Sequence, residues 1–232
     1  MANTIVWPTR LLTPTRTWHN LVPFSRSGGR SLGGVEKVTR TDLGYWSVTF
    51  EGIPVRTVAQ ERTWNAIRSS LAGRSGLIIV PGWYSRIAPY GAALPGVTVT
   101  HSDGSTFSDG TSYSQRSINV ETSGVTALGA TSIKLKLINA EADLVGTRFS
   151  HNHALYEISK VTQITGNFWT VNISPSIRVE IASGEQLDFD RPSCICHLAT
   201  ESEMDASDRR VRADARSISF TEATDYWSEL AA

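Results

Sequence analysis

The chain has 232 residues, 40% of them hydrophobic, and its 22 lysines and arginines are balanced by 22 aspartates and glutamates. That length and hydrophobic content suit one large β domain or two small domains and exclude a disordered chain. A formal charge of zero leaves no summed field to attract nucleic acid or an acidic membrane surface, and it suits association with other protein.

The opening "MANTIVWPTRLL" has no basic segment leading into an apolar run, and no run of about eighteen apolar residues follows anywhere. A protein made and kept, or assembled, in the cytosol is expected, without membrane insertion. The first thirty or so residues are rich in Pro, Arg, Thr and Trp, with "PTRLLTPTRT" separating Trp7 from Trp18, and "SRSGGRSLGG" follows. This predicts an extended arm with a flexible joint, whose apolar anchors need a partner surface on this chain or a neighbouring copy.

From Gly44, "GYWSVTFEGIPV" alternates as a half-buried strand should. Thr57 is placed to cap a helix, Gln60 completes a capping box, and Trp64, Ile67 and Leu71 recur at helical spacing up to Gly73. "GLIIVP" then suits a strand covered on both faces. Strand, helix and strand make a compact α+β unit.

Between Val97 and Gly124 the chain turns to Ser, Thr, Asp and Gly, with strand-like "VTVT" before and "SINVET" after. "HSDGSTFSDG", residues 101–110, is therefore expected to be an exposed hairpin tip or flap. From about Gly129, short alternating runs predict a small antiparallel barrel or sandwich: "TSIKLKLI", "RFS", "ALYEISKVTQIT", "FWTVNIS", "EQLDFD" and "SCICHLAT". "TGN" reads as a hairpin turn and "SPS" as a corner. "ESEMDASDRR" reads as a charged connector, and "RSISFTEATDYW" as a last strand that needs a sheet and is assigned to the first domain.

The search for chemistry finds no Gly-x-Ser-x-Gly elbow, P-loop, dinucleotide fingerprint or His-Glu-x-x-His. His151 and His153 stand two apart at a turn without an adjacent acid or sulfur ligand, so turn histidines outweigh a metal pair. Cys194 and Cys196 fall on one face of a strand and read as buried thiols rather than a disulfide or zinc ligands. Asp103, Asp109, Glu121, Asp188 and Asp190 are the carboxylates a glycosidase would draw on, but nothing in the sequence pairs them. The doubled Ser-Asp-Gly lacks the dense alternating acids of a calcium loop. No catalytic, cofactor-binding or metal residue is assigned.

Seven tryptophans are many for this length. Core filling accounts for Trp46 and Trp64. Trp7 and Trp18 on the arm, Trp83 and Tyr84 after the "IIVP" strand, and Phe107 and Tyr113 around the tip are the candidate contact or assembly residues. A sugar-stacking platform of Trp83, Tyr84, Trp169 and Phe107 is the competing reading.

"VTVTHSDGSTFSDGTSYSQ", "GATSIKLKL", "GTRFSHNHALYEISKVT" and "TVNISPSIRVEIASGEQLDFDRPSCICHL" together resemble structural proteins of long-tailed bacteriophages and related particles. The pattern of the resemblance falls on Gly146, Phe149, Ser150, Leu155, Tyr156, Ile158, Val171, Ile173, Pro175, Ile177, Arg178, Pro192 and Leu198, and covers roughly residues 95–200. The strand-helix-strand unit is similar to the ring-forming domain of distal tail proteins, which implies six copies, or three, closed around the end of a tail tube. No active site goes with that resemblance.

The expected fold is mainly β (α+β). An N-terminal arm and strand-helix-strand assembly domain spans 1–95, an antiparallel β-barrel or β-sandwich spans 96–200, and 201–232 is the connector and returning strand. The expected function is structural: a homo-oligomeric ring in the virion, assembled in the host bacterial cytoplasm, joining the tail tube protein to the tail-tip hub protein. A carbohydrate-binding module for host surface glycan is the first alternative, and a cell-wall polysaccharide hydrolase the second.

Overall fold

The structure, a computed structural model, describes residues 4–82, 98–99, 113–114, 118–204 and 214–230. The elements in chain order are β1 (Ile5–Val6), β2 (Arg16–Arg30), β3 (Glu36–Val55), α1 (Val58–Leu71), β4 (Ile78–Pro81), β5 (Thr98–Val99), β6 (Tyr113–Ser114), β7 (Asn119–Thr122), β8 (Ser132–Asn139), β9 (Arg148–His151), β10 (Ala154–Thr165), β11 (Phe168–Ser174), β12 (Gln186–Leu187), β13 (Ser193–Leu198), β14 (Asp214–Glu222) and α2 (Thr224–Leu230). Strand makes up 52% and helix 13%, so the fold is mainly β.

The first sheet runs β1-β4-β13-β14-β3-β2. Only β1 and β4 pair in parallel; the other neighbours are antiparallel. β14 lies between β13 and β3, so the C-terminal strand completes this sheet. β13 is in it too, which moves the boundary between the two units to before residue 193 rather than at 200. β3 and β4, the two strands that flank α1 in the chain, are separated in the sheet by these two late strands.

Helix α1 starts where the sequence places it. Thr57 accepts from the Gln60 N–H, and the Gln60 side chain accepts from the Thr57 N–H, so two end donors are satisfied reciprocally. Its buried stripe, Trp64, Ile67 and Leu71, covers one face of the sheet. The left-handed stop comes at Ala72 (φ 47°), one residue before Gly73.

The second sheet, β12-β7-β8-β11-β10-β9, is antiparallel throughout and curls almost into a barrel. Its ends meet where Ser150 on β9 exchanges both backbone hydrogen bonds with Asp188, just past β12, at 3.0 and 2.9 Å. This one bridge covers part of the edge that an open sheet would expose. The interior holds Val120, Leu135, Phe149, Ile158, Val171 and Phe189. "SPS" forms the corner after β11, with a cis Ser174–Pro175 bond.

"TDYW" does not extend the last strand. α2 begins at Thr224, and Trp227 is buried within the barrel core. Ala223 and Trp227 are both buried there, while Tyr226 is half-buried against the same core.

Candidate functional site

The "SRSGGRSLGG" stretch is not a flexible joint but the outer end of a long hairpin. β2 and β3 stay paired antiparallel from Arg16↔Glu51 out to Arg30↔Glu36, with register shifts between Val22 and Phe24 and between Ser27 and Arg30, and Ser31 closes the tip by bonding Val35 and Gly34 at 2.9 Å each. Gly34 takes φ 78°, which favours glycine at that turn. Its base is half-buried. Beyond it, every residue of 23–43 whose burial is described is exposed, giving a free two-stranded arm roughly 20 Å long at a strand's rise per residue.

This arm carries apolar groups in water: Phe24, Leu32, Val35, Val38 and Leu43 are all exposed, Leu32 fully so. Residues 23–43 also hold four basic and two acidic side chains. With the chain neutral overall, the remainder is acidic by the same two charges. A ribbon of two strands with no covered face is marginal by itself, so these side chains gain by finding a partner.

The two edges of the first sheet differ. β2 offers a 15-residue edge with Trp18 half-exposed on it, whereas the far edge is β1, two residues long with Val6 exposed. Unequal edges permit a head-to-tail contact between copies, in which each uses two different surfaces.

A polar seam fixes the base of the arm against the barrel. Arg178 donates from Nε and Nη2 to the two Glu222 oxygens at 2.8 and 3.0 Å, with both side chains buried. Glu222 also accepts from the Trp46 N–H at 3.0 Å, and Arg178 Nη2 donates to the Gly44 carbonyl. The Arg178 N–H reaches the Tyr156 hydroxyl at 3.0 Å, and burial pushes that phenol above its ordinary pKa. The Trp46 indole donates to the Leu155 carbonyl at 2.7 Å, and the Ser176 N–H to the Asp42 carbonyl at 3.1 Å. The charge pair is bidentate and satisfied, as a buried pair must be.

The predicted contact residues separate. Trp7 is not available to a partner: its ring lies 5.5 Å from Phe50, 5.7 Å from Phe220 and 6.4 Å from Trp64, and its indole donates to the Leu12 carbonyl at 3.0 Å. β1 beside β4 carries it into the core. Trp18 stays accessible. Tyr113 stands on β6, where the backbone alone is described; Trp83, Tyr84, Phe107 and the whole of 101–110 lie outside the described residues. Trp169 is buried in the barrel core and presents no stacking face.

Cys194 and Cys196 are free and buried in the first core, and burial raises the Cys194 thiol well above its ordinary pKa. His151 and His153 border a cleft of about 220 Å³ with Ser150, Glu185 and Ser193. His153 Nδ1 lies 2.8 Å from Ser193 Oγ, and the His153 carbonyl accepts from the Ile195 N–H at 3.0 Å, so this turn is tied to β13. Burial lowers both histidine pKa values. Among the described residues no cluster of three or more His, Cys, Asp or Glu can hold a metal ion. Of the carboxylates considered for glycosidase chemistry, Glu121 pairs with Lys136 at 3.5 Å and Asp188 accepts from the Arg191 N–H at 3.0 Å; Asp103 and Asp109 lie outside the described residues.

The sequence predicts an extended arm with a flexible joint, and the pairing of the glycine-serine stretch into a hairpin left no signal because a ribbon wet on both faces has no alternation to read. No known family model and no curated protein matches the chain.

Proposed function

We propose that this chain is a structural subunit of a long-tailed phage tail tip, a distal tail protein whose copies close into a ring between the tail tube and the tip hub. The observation that carries the reading is the free arm of residues 23–43, basic and studded with exposed apolar side chains, beside a long open β2 edge. Such an arm has little to gain in a monomer and much to gain against the acidic remainder of a second copy. Unequal sheet edges favour a closed head-to-tail ring over a two-fold dimer. The nearly closed barrel is left to face the tip proteins.

Negative-stain electron microscopy of the purified chain tests this. Annular particles of six-fold or three-fold symmetry are expected. Single particles at every concentration, retained on a glycan array, would overturn the ring in favour of a sugar-binding module, and polymer clearing in a cell-wall zymogram would favour the hydrolase.

A further inference from the structure

His197, on β13, stands between two acceptors from different parts of the chain. Its Nε2 lies 3.0 and 3.1 Å from the two Asp225 oxygens on α2, and its Nδ1 lies 3.0 Å from the Gly76 carbonyl, in the turn leading into β4. A carboxylate and a carbonyl only accept. Neutral imidazole has one N–H, so it satisfies one of these partners and sets a lone pair against the other, whereas imidazolium donates to both.

We propose that His197 is a proton-operated latch: protonated, it fastens α2 to the turn before β4, and on losing its proton it releases one side and loosens the helix that plugs Trp227 into the barrel. The consequence reaches both units, because Trp227 and Tyr226 pack with the barrel core while β13 and β4 belong to the first sheet. The latch does not depend on the ring reading.

The neighbouring charges are accounted for. His197 borders an open cavity of about 450 Å³ with Arg74, Glu201, Glu222 and Asp225. The Glu222 carboxylate is held by Arg178 and the Trp46 N–H. Arg74 Nε donates to the Leu198 carbonyl at 3.2 Å, and Glu201 lies over Gly73 at the end of α1. That leaves Asp225 as the carboxylate on the ring. Burial opposes its ionisation, but the His197 bond and charge and the N–H groups of Tyr226 and Asp225 outweigh burial and hold its pKa below the ordinary value. Asp225 is mostly exposed, so solvent protons reach the pair.

Amide exchange of the full chain, read by mass spectrometry on the peptide covering 224–230 and expressed as protection factors, tests the latch. His19, His151 and His153 have pKa values lowered from 6.5 by burial, and the His197→Gln variant, which keeps all three, separates their effect from that of the latch. Wild-type protection in α2 is expected to fall about tenfold across a pH window that spans loss of the His197 ring proton. His197→Gln and Asp225→Asn should both lose that step, the second because the Asn amide can accept from a protonated Nε2 or donate to an unprotonated one. A wild-type protection factor that stays constant across the window, or an unchanged step in either variant, would overturn the proposal. Asp225→Asn alters a mostly exposed side chain and keeps the test usable if His197→Gln fails to fold. Nitrogen-15 shifts of the His197 ring over the same window give a second readout: protection should fall in step with loss of one ring proton, and a fall that does not track that loss would overturn the proposal.

Discussion

At the scale of single residues, the strongest constraint is the buried Arg178–Glu222 pair, which has bidentate geometry and further bonds to Trp46 and Gly44. Removing one partner leaves the other charged and buried. Arg178→Ala or Glu222→Ala is expected to cost about 3–5 kcal/mol, and replacing both together with apolar residues of similar size should cost less than either alone. Urea denaturation of the three variants checks this. His19 is a second constraint: burial, partly offset by its contact with the Pro81 carbonyl at 3.1 Å, lowers its pKa from 6.5 to about 4. The unfolded chain therefore binds protons first as pH falls. The contribution of these histidines to stability should be full above 6.5 and decline towards pH 4, by at most about 3 kcal/mol from His19, with His151 and His153 acting in the same direction. Denaturation midpoints at neutral and acid pH measure it, and His19→Gln should flatten the slope. Neither constraint was legible beforehand. Arg178 was quoted only as part of a strand motif, because its partner is 44 residues away and no local pattern joins them.

Among the elements, legibility followed burial geometry. Helix α1 could be read because its capping box and its Trp64, Ile67 and Leu71 stripe are local signals. Thr57→Ala should lower helix stability by about 1 kcal/mol. Ala72→Gly should raise it by up to about 1 kcal/mol, since Ala72 sits at φ 47°, where glycine is unstrained; melting temperatures of the two variants should move in opposite directions. The barrel strands β7, β8 and β11 were legible for a similar reason, since each alternates buried with more exposed residues along its length. α2 was misread because Tyr226 and Trp227 are adjacent bulky rings, and the four-residue step from Ala223 to Trp227 fits one face of a strand as well as one face of a helix. The arm was misread because exposure on both sides removes the alternation that marks a strand, leaving only a glycine-serine composition that also suits a linker. Trp7 was assigned outward for want of a local core; its partners Phe50, Trp64 and Phe220 arrive from three distant elements.

For the whole molecule, the two cores share a boundary built by late-arriving chain. β13 and β14 complete the first sheet and α2 plugs the barrel, so neither core is finished until the C-terminal segment is in place. A truncation before β13 is therefore expected to unfold both. Strand order of this kind is set by contacts between residues far apart in the chain, which explains why a division at residue 200 looked natural in the sequence. The arm is the part that contributes least to either core, so its loss should spare folding and affect only association. Size exclusion coupled to light scattering, run on the wild type and on a variant with 24–42 replaced by a short turn, separates these effects. If copies assemble through the arm, the wild type has a six-fold or three-fold mass, or reaches it as concentration rises, while the shortened variant stays a folded monomer. Equal masses for the two proteins at every concentration would contradict assembly through the arm.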